Sequence, residues 1–130
     1  MAVAVAIGGM VGAAARYVLL RQWPPGPDDF PVTTLIINVV GCGVMGVFMA
    51  ATDHLVGHRL IRPFFGTGVL GGFTTFSTFS GELEQLVNRG DARLAAAYLA
   101  ASMLAALVAV AAGAAIARRT IAMAHSRSAR

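Results

Sequence analysis

The stretch "GTGVLGGFTTFSTFSGE", Gly66–Glu82, decides how this chain is read. Its first half is apolar and rich in glycine. Its second half, Phe73–Ser80, contains only phenylalanine, threonine and serine. A plain membrane helix has no use for so many hydroxyls, and an exposed loop has no use for so many phenyl rings. Gly71-Gly72 followed by Thr74-Thr75 is poor helix material, because glycine is conformationally free and threonine is β-branched. The pattern predicts a break there, with helix resuming after it. At membrane depth, such a break frees backbone carbonyls that must find protein, water or an ion. Carbonyls of a broken helix can hold a small cation such as Na⁺. Beyond the break, Phe76 and Phe79 share one helix face, Ser77 and Ser80 a second, Thr75 and Thr78 a third. One turn thus presents a phenyl strip beside hydroxyl strips.

Membrane depth follows from the rest of the chain. It is 57% hydrophobic and only 12% charged, about half the charged fraction of a soluble domain. No charge occurs in Met1–Ala15, Val32–Thr52, Pro63–Gly81 or Leu94–Ala117. A helix needs about 20 apolar residues to cross the hydrocarbon. The sequence therefore predicts an all-α integral membrane protein with a single membrane domain over residues 1–130. Its four transmembrane helices run roughly 3–22, 32–52, 62–88 and 92–118, the third broken near its middle, and 119–130 form a basic, frayed tail. A buried helical bundle in water is the alternative this composition argues against. The N-terminus lacks the basic region of a cleaved signal peptide. The net charge of +4 comes entirely from arginine and belongs to loops and headgroups, so no nucleic-acid partner is expected. Cys42, the single cysteine, reads as a small apolar residue. His54 and His58 lie in or beside a loop and read as solvated. No His, Cys or Asp cluster lies in the membrane, which speaks against an enzyme.

Gly8 and Gly12 form a small-xxx-small spacing for close helix approach. Small residues recur at 97, 101, 105, 109, 113 and 117. Four helices are few to enclose a polar pathway, so a dimer or larger assembly is expected, with these stripes as contact surfaces. Arg59, Arg62, Arg118, Arg119, Arg127 and Arg130 fall on one side, and Arg16, Arg21, Arg89 and Arg93 on the other. This bias hardly orients the protein. Both orientations in the bilayer are compatible with it.

Polar groups in hydrocarbon are costly unless they face protein or water. Asn38 reads either as an interhelical hydrogen bond or as the lining of a polar path. Tyr98 reads as a headgroup anchor or pathway residue. Arg16 either snorkels or draws anions into a vestibule, and Glu82 reads as a solvated helix-end charge or part of the same vestibule. No acid lies deep in the bundle, whereas a proton-coupled cation exporter needs one. Phenyl rings suit cations face-on and a small anion edge-on; with no deep acid and Arg16 as the embedded charge, the chemistry leans towards an anion pathway, with or without a bound cation, and a packing contact without transport is the alternative.

On "GGMVGAAARY" in helix one, "INVVGCGVMG" in helix two and above all "GGFTTFSTFSGE" in helix three, the sequence resembles the CrcB/Fluc family of fluoride channels. The resemblance covers essentially the whole chain. It implies antiparallel, dual-topology dimers in the plasma membrane with two pores, exporting fluoride passively from the cytoplasm to relieve its toxicity. It implies a structural, untransported Na⁺ at the dimer centre, held by backbone carbonyls of Gly71 and Thr74. It implies a fluoride path lined by Asn38, Phe76, Phe79, Ser77 and Thr78, with Arg16 matching the family's basic residue and Tyr98 matched loosely. Some members pair with a homologous second chain. The rival readings are a small dual-topology multidrug exporter, whose first-helix glutamate is missing in Met1–Gln22, and a non-transporting membrane scaffold.

Overall fold

A computed structural model describes residues 1–24, 26, 29–53 and 59–128. The His54/His58 pair, Pro25, Pro27, Asp28 and Arg130 lie outside the described residues. Helices α1 (Ala2–Gln22), α2 (Val32–Thr52) and α5 (Ala92–Ser128) are each long and apolar enough to cross a membrane. Between α2 and α5 lies a wide, π-type segment (Arg62–Leu70), then the short α3 (Gly71–Phe73) and α4 (Phe76–Asn88). No strand occurs among the described residues. The chain is an all-helical, multi-pass integral membrane protein.

Pairing in lipid rests on close van der Waals approach, since the apolar effect does not separate helix from lipid tail. The glycines supply that approach. On α1, a methyl group added at Gly8 would overlap the Phe64 carbonyl oxygen, and one at Gly12 the Val69 carbonyl oxygen. The Gly8/Gly12 spacing therefore packs α1 against the π-type segment of its own chain. On α2, a methyl at Gly46 would overlap the Val110 carbonyl oxygen of α5. A backbone obstacle cannot rotate aside, so Gly46→Val should cost at least about 3 kcal/mol, the upper end for overpacking. The check is thermal unfolding in detergent, with Gly81→Ala, which meets open space, as the tolerated control.

Two expectations are corrected here. The buried face of α5 packs within the chain. It runs through Ala95, Tyr98, Ser102, Gly113 and Ala117, all buried, while Ala97 is exposed. Of the expected stripe, Gly113 and Ala117 are buried, Ala101, Ala105 and Ala109 are half-buried, and Ala97 alone is displaced, because Tyr98 turns towards α4 in its place. The C-terminal tail also continues α5 to Ser128. Residues 119–128 hold neither proline nor glycine, so nothing local stops the helix.

The connections have identifiable causes. Thr33 Oγ1 donates to the Trp23 carbonyl (2.7 Å) and closes the α1–α2 turn. Arg62 pairs with Asp53 and donates through Nε to Thr52 Oγ1 (3.2 Å), tying the end of α2 to the π-type segment. The α4–α5 turn is a Schellman motif: Gly90 has φ 84°, its N–H donates to Val87 O (3.0 Å), and Asp91 N–H donates to Leu86 O (3.1 Å). That tight reversal brings Phe79, Leu86, Ala95 and Tyr98 into one buried cluster.

Candidate functional site: a broken helix beside an open cavity

α3 ends at Phe73. Thr74 (φ −72°, ψ 153°) and Thr75 (φ −144°, ψ 125°) are extended, and α4 starts at Phe76. Three local features hold this geometry. Threonine suits extended backbone. Thr75 is the N-cap of α4, its Oγ1 accepting from Thr78 N–H at 3.1 Å. Asn38 of α2 grips the same residue twice: Thr75 N–H donates to Asn38 Oδ1 (2.8 Å), and Asn38 Nδ2 donates to Thr75 O (3.0 Å). Gly41, one turn on, leaves the slot that the Thr74 methyl fills.

The consequence is electrostatic. Thr75 N–H serves Asn38 and not the Gly71 carbonyl four residues back. The carbonyl end of α3 and the N–H end of α4 face one gap, negative and positive respectively.

Around the gap, Asn38, Cys42, Thr74, Thr75, Phe76, Phe79 and Ser102 line a cavity of about 300 Å³ together with Met103 and Leu107. Thr75 Oγ1 donates to Thr78 Oγ1 (3.0 Å) and lies 3.3 Å from Ser77 Oγ. The threonine strip is therefore contiguous, while Ser80 turns back to bond the Phe76 carbonyl of its own helix (2.9 Å). The rings of Phe76 and Phe79 are 5.8 Å apart. They differ in setting: Phe76 is 72% exposed and Phe79 only 4%. Phe79 packs on Tyr98 with ring centroids 5.1 Å apart, so it belongs to the core as well as to the cavity wall.

Tyr98 and Glu82 correct the sequence reading. Tyr98 is fully buried, which excludes a headgroup anchor. Its hydroxyl donates to Glu82 Oε2 (2.7 Å), while Thr34 Oγ1, also fully buried, donates to Glu82 Oε1 (2.7 Å). Glu82 is thus no freely solvated helix-end charge. Both carboxylate oxygens accept from the chain itself, and the residue joins α2, α4 and α5. Arg16 is half-buried on α1, and no hydrogen bond among the described residues joins it to the break.

Thr34 and Ser102 were missed by sequence reasoning. The signal was available: Thr34, Asn38 and Cys42 recur every four residues on α2, as Tyr98 and Ser102 do on α5, and that spacing gives one face. The Ser102 hydroxyl is buried. It lies one turn beyond Tyr98 on α5, buried on the same face.

Residues 3–114 match the family model described as CrcB-like protein, Camphor Resistance (CrcB). The chain belongs to the CrcB family. Among similar proteins, the "Fluoride-specific ion channel FluC 2" of Streptomyces avermitilis is 56% identical over 100 residues, which are 76% of this CrcB chain and 63% of that relative's length. The "Fluoride-specific ion channel FluC 1" of Streptomyces coelicolor is 52% identical over 118 residues, 90% of this chain and 77% of the relative. The "Fluoride-specific ion channel FluC" of Deinococcus radiodurans is 46% identical over 110 residues, covering 83% and 87%. All three matches lie within a CrcB chain whose polar groups gather at the break.

Proposed function

We propose that this CrcB chain forms a fluoride-selective passive channel. The observation that carries the proposal is the break at Thr74-Thr75, which brings amide, hydroxyl and phenyl groups to one cavity at the depth of an apolar bundle. The names of its relatives support the same reading. Fluoride holds its hydration shell tightly, so a selective path must replace that shell with close donors. Asn38 has one amide hydrogen engaged with Thr75 O and a second left to donate. The hydroxyls of Ser77 and Thr78 and the phenyl edges of Phe76 and Phe79 extend the same offer. A short, stiff set of donors disfavours the larger chloride. No transported counter-ion is needed: a negative-inside potential drives an anion outward by roughly 2.3 kcal/mol per 100 mV.

The remaining parts of the reading concern assembly. The segment Arg62–Asn88 serves as a fourth, interrupted span. Two copies in opposite orientation, or one copy with a homologous chain, meet around the break. The carbonyls of Gly71 and Thr74 would hold a structural Na⁺ there. The fit is chemical: Gly71 O lies four residues before a Thr75 N–H already engaged by Asn38, and carbonyl oxygens are the donors Na⁺ takes in broken helices. When bound, the ion would supply a fixed positive charge and stiffness.

Fluoride efflux from liposomes holding the purified protein tests the function. Efflux of fluoride without chloride supports it. Proton-linked cation efflux would mean an exporter, and no flux a scaffold. For orientation, Asp91→Cys in a Cys42→Ala background should react with an impermeant thiol reagent from both sides of the membrane. Reaction from one side alone would exclude a homodimer of opposed subunits. For the ion, dimer stability should fall in strictly Na⁺-free buffer, as measured by gel filtration; unchanged stability and flux would remove the Na⁺ site.

A further inference from the structure

The charges of this chain are segregated more sharply than the arginine count alone shows. α2 and α5 run parallel: Thr34 and Tyr98, near their starts, bond one carboxylate, and further along Gly46 lies close to the backbone of Val110 and Ala114. The C-terminal part of α5 therefore stands at the end where α2 finishes. Met1, Arg59 and Arg62 stand at that end too, around an open groove they share with Met45 and Met49 of α2. Among the described residues, this end carries Arg59, Arg62, Arg118, Arg119 and Arg127 against a single acid, Asp53, which Arg62 already neutralises. The opposite end sets Arg16, Arg21, Arg89 and Arg93 against Asp29, Glu82, Glu84 and Asp91. One end is strongly positive and the other is balanced.

We propose that the positive end is a docking surface for anionic phospholipids, with the lipid phosphate held at Arg118 and Arg119. The charge-free run Leu94–Ala117 spans about 36 Å as a helix, a little more than the roughly 30 Å of hydrocarbon. Arg118 and Arg119 therefore emerge at the level of the phosphates. Both are exposed, and among the described residues neither has an ion-pair or hydrogen-bond partner. α5 does not stop there. It continues to Ser128, and Arg118, Ile121, Ala122 and His125 line an open hollow of about 420 Å³ on that extension. The hollow gives a phosphodiester headgroup room beside the Arg118 guanidinium, a group whose planar fork matches phosphate oxygens. A zwitterionic headgroup brings its own cation to a surface where cations are in excess, so anionic headgroups are favoured. Each arginine at a membrane surface contributes about fivefold in affinity for anionic lipid. No part of this depends on fluoride conduction.

Tryptophan quenching in the full chain, held in vesicles of phosphatidylcholine and phosphatidylglycerol, tests the surface. Trp23 is the single tryptophan and lies at the balanced end. Ile116, one turn or less before Arg118 and 60% exposed, reports the positive end as Ile116→Trp in a Trp23→Phe background. Brominated phosphatidylglycerol should quench that probe at least about fivefold more effectively than brominated phosphatidylcholine at equal mole fraction. Adding Arg118→Gln and Arg119→Gln should make the two lipids nearly equal. So should about 1 M salt, which shortens the screening length to about 3 Å. Trp23 in the wild type should distinguish the two lipids only slightly. Excess inorganic phosphate at constant ionic strength should leave the preference at the positive end intact. Equal quenching by both lipids at the Ile116→Trp probe would overturn the docking surface, and so would a preference that survives removal of both arginines. An equally strong preference at Trp23 would make the attraction general to the bilayer and would also overturn it. Loss of the preference to free phosphate would mean a site for small anions instead of lipid.

Discussion

Phe76→Ile is expected to slow fluoride efflux by at least about tenfold while leaving the protein folded. The two halves of that result have separate causes. Phe76 is 72% exposed, so its ring contributes little packing within the chain, and an aliphatic replacement should not unfold it. The ring edge, however, carries positive potential that isoleucine lacks. A tenfold loss needs a barrier increase of only about 1.4 kcal/mol. Phe79→Ile should lose flux by a similar factor and should also lose stability, because Phe79 packs on Tyr98 and is 4% exposed. Phe76 is therefore the cleaner probe. Phe73, half-buried before the break, is the control whose substitution should matter less. Wild-type efflux from folded Phe76→Ile would return the phenyl pair to packing.

The second large effect is expected at Asn38. Its amide satisfies both the N–H and the C=O of Thr75, and Thr75 is buried. Asn38→Ala leaves two backbone groups without a protein partner. Each such group costs about 1–3 kcal/mol. The adjoining cavity admits water, so the low end applies and the sum is about 2 kcal/mol. Fluoride efflux should fall by at least about tenfold as the break loses its shape and the path loses a donor. Asn38→Asp makes the sharper comparison. It keeps an acceptor for Thr75 N–H, but sets a carboxylate oxygen against Thr75 O and a negative charge in an anion path. Efflux should therefore be lower in Asn38→Asp than in Asn38→Ala. Thermal unfolding and liposome efflux measured together check both. An Asn38→Ala protein with wild-type stability and flux would show that the clamp is dispensable.

What sequence alone determined are the features that depend on near neighbours. Charge-free runs of membrane length dictate helices, because unpaired backbone groups are intolerable in lipid whatever the partner. Gly71-Gly72 and Thr74-Thr75 dictate a break, because glycine and β-branched residues weaken the helix locally and the Thr75 side chain caps the next one. The meeting of Thr75 with Thr78, and of Phe76 with Phe79, follows from helical spacing. Only the tertiary structure decided which polar groups meet across helices. Tyr98 could stand at a headgroup or in a core with equal local sense; the Schellman turn at Gly90 and the approach of α2 send it inward to Glu82. Asn38 could bond anything at its depth; the slot at Gly41 brings Thr75 within its reach. Ser102 looks like any small helix residue until α5 is turned so that its hydroxyl is buried on the face that carries Tyr98. Helical periodicity sets which residues share a face, but which face meets which is a contest among many nearly equivalent small-residue surfaces, and that contest is resolved only when all the helices pack at once.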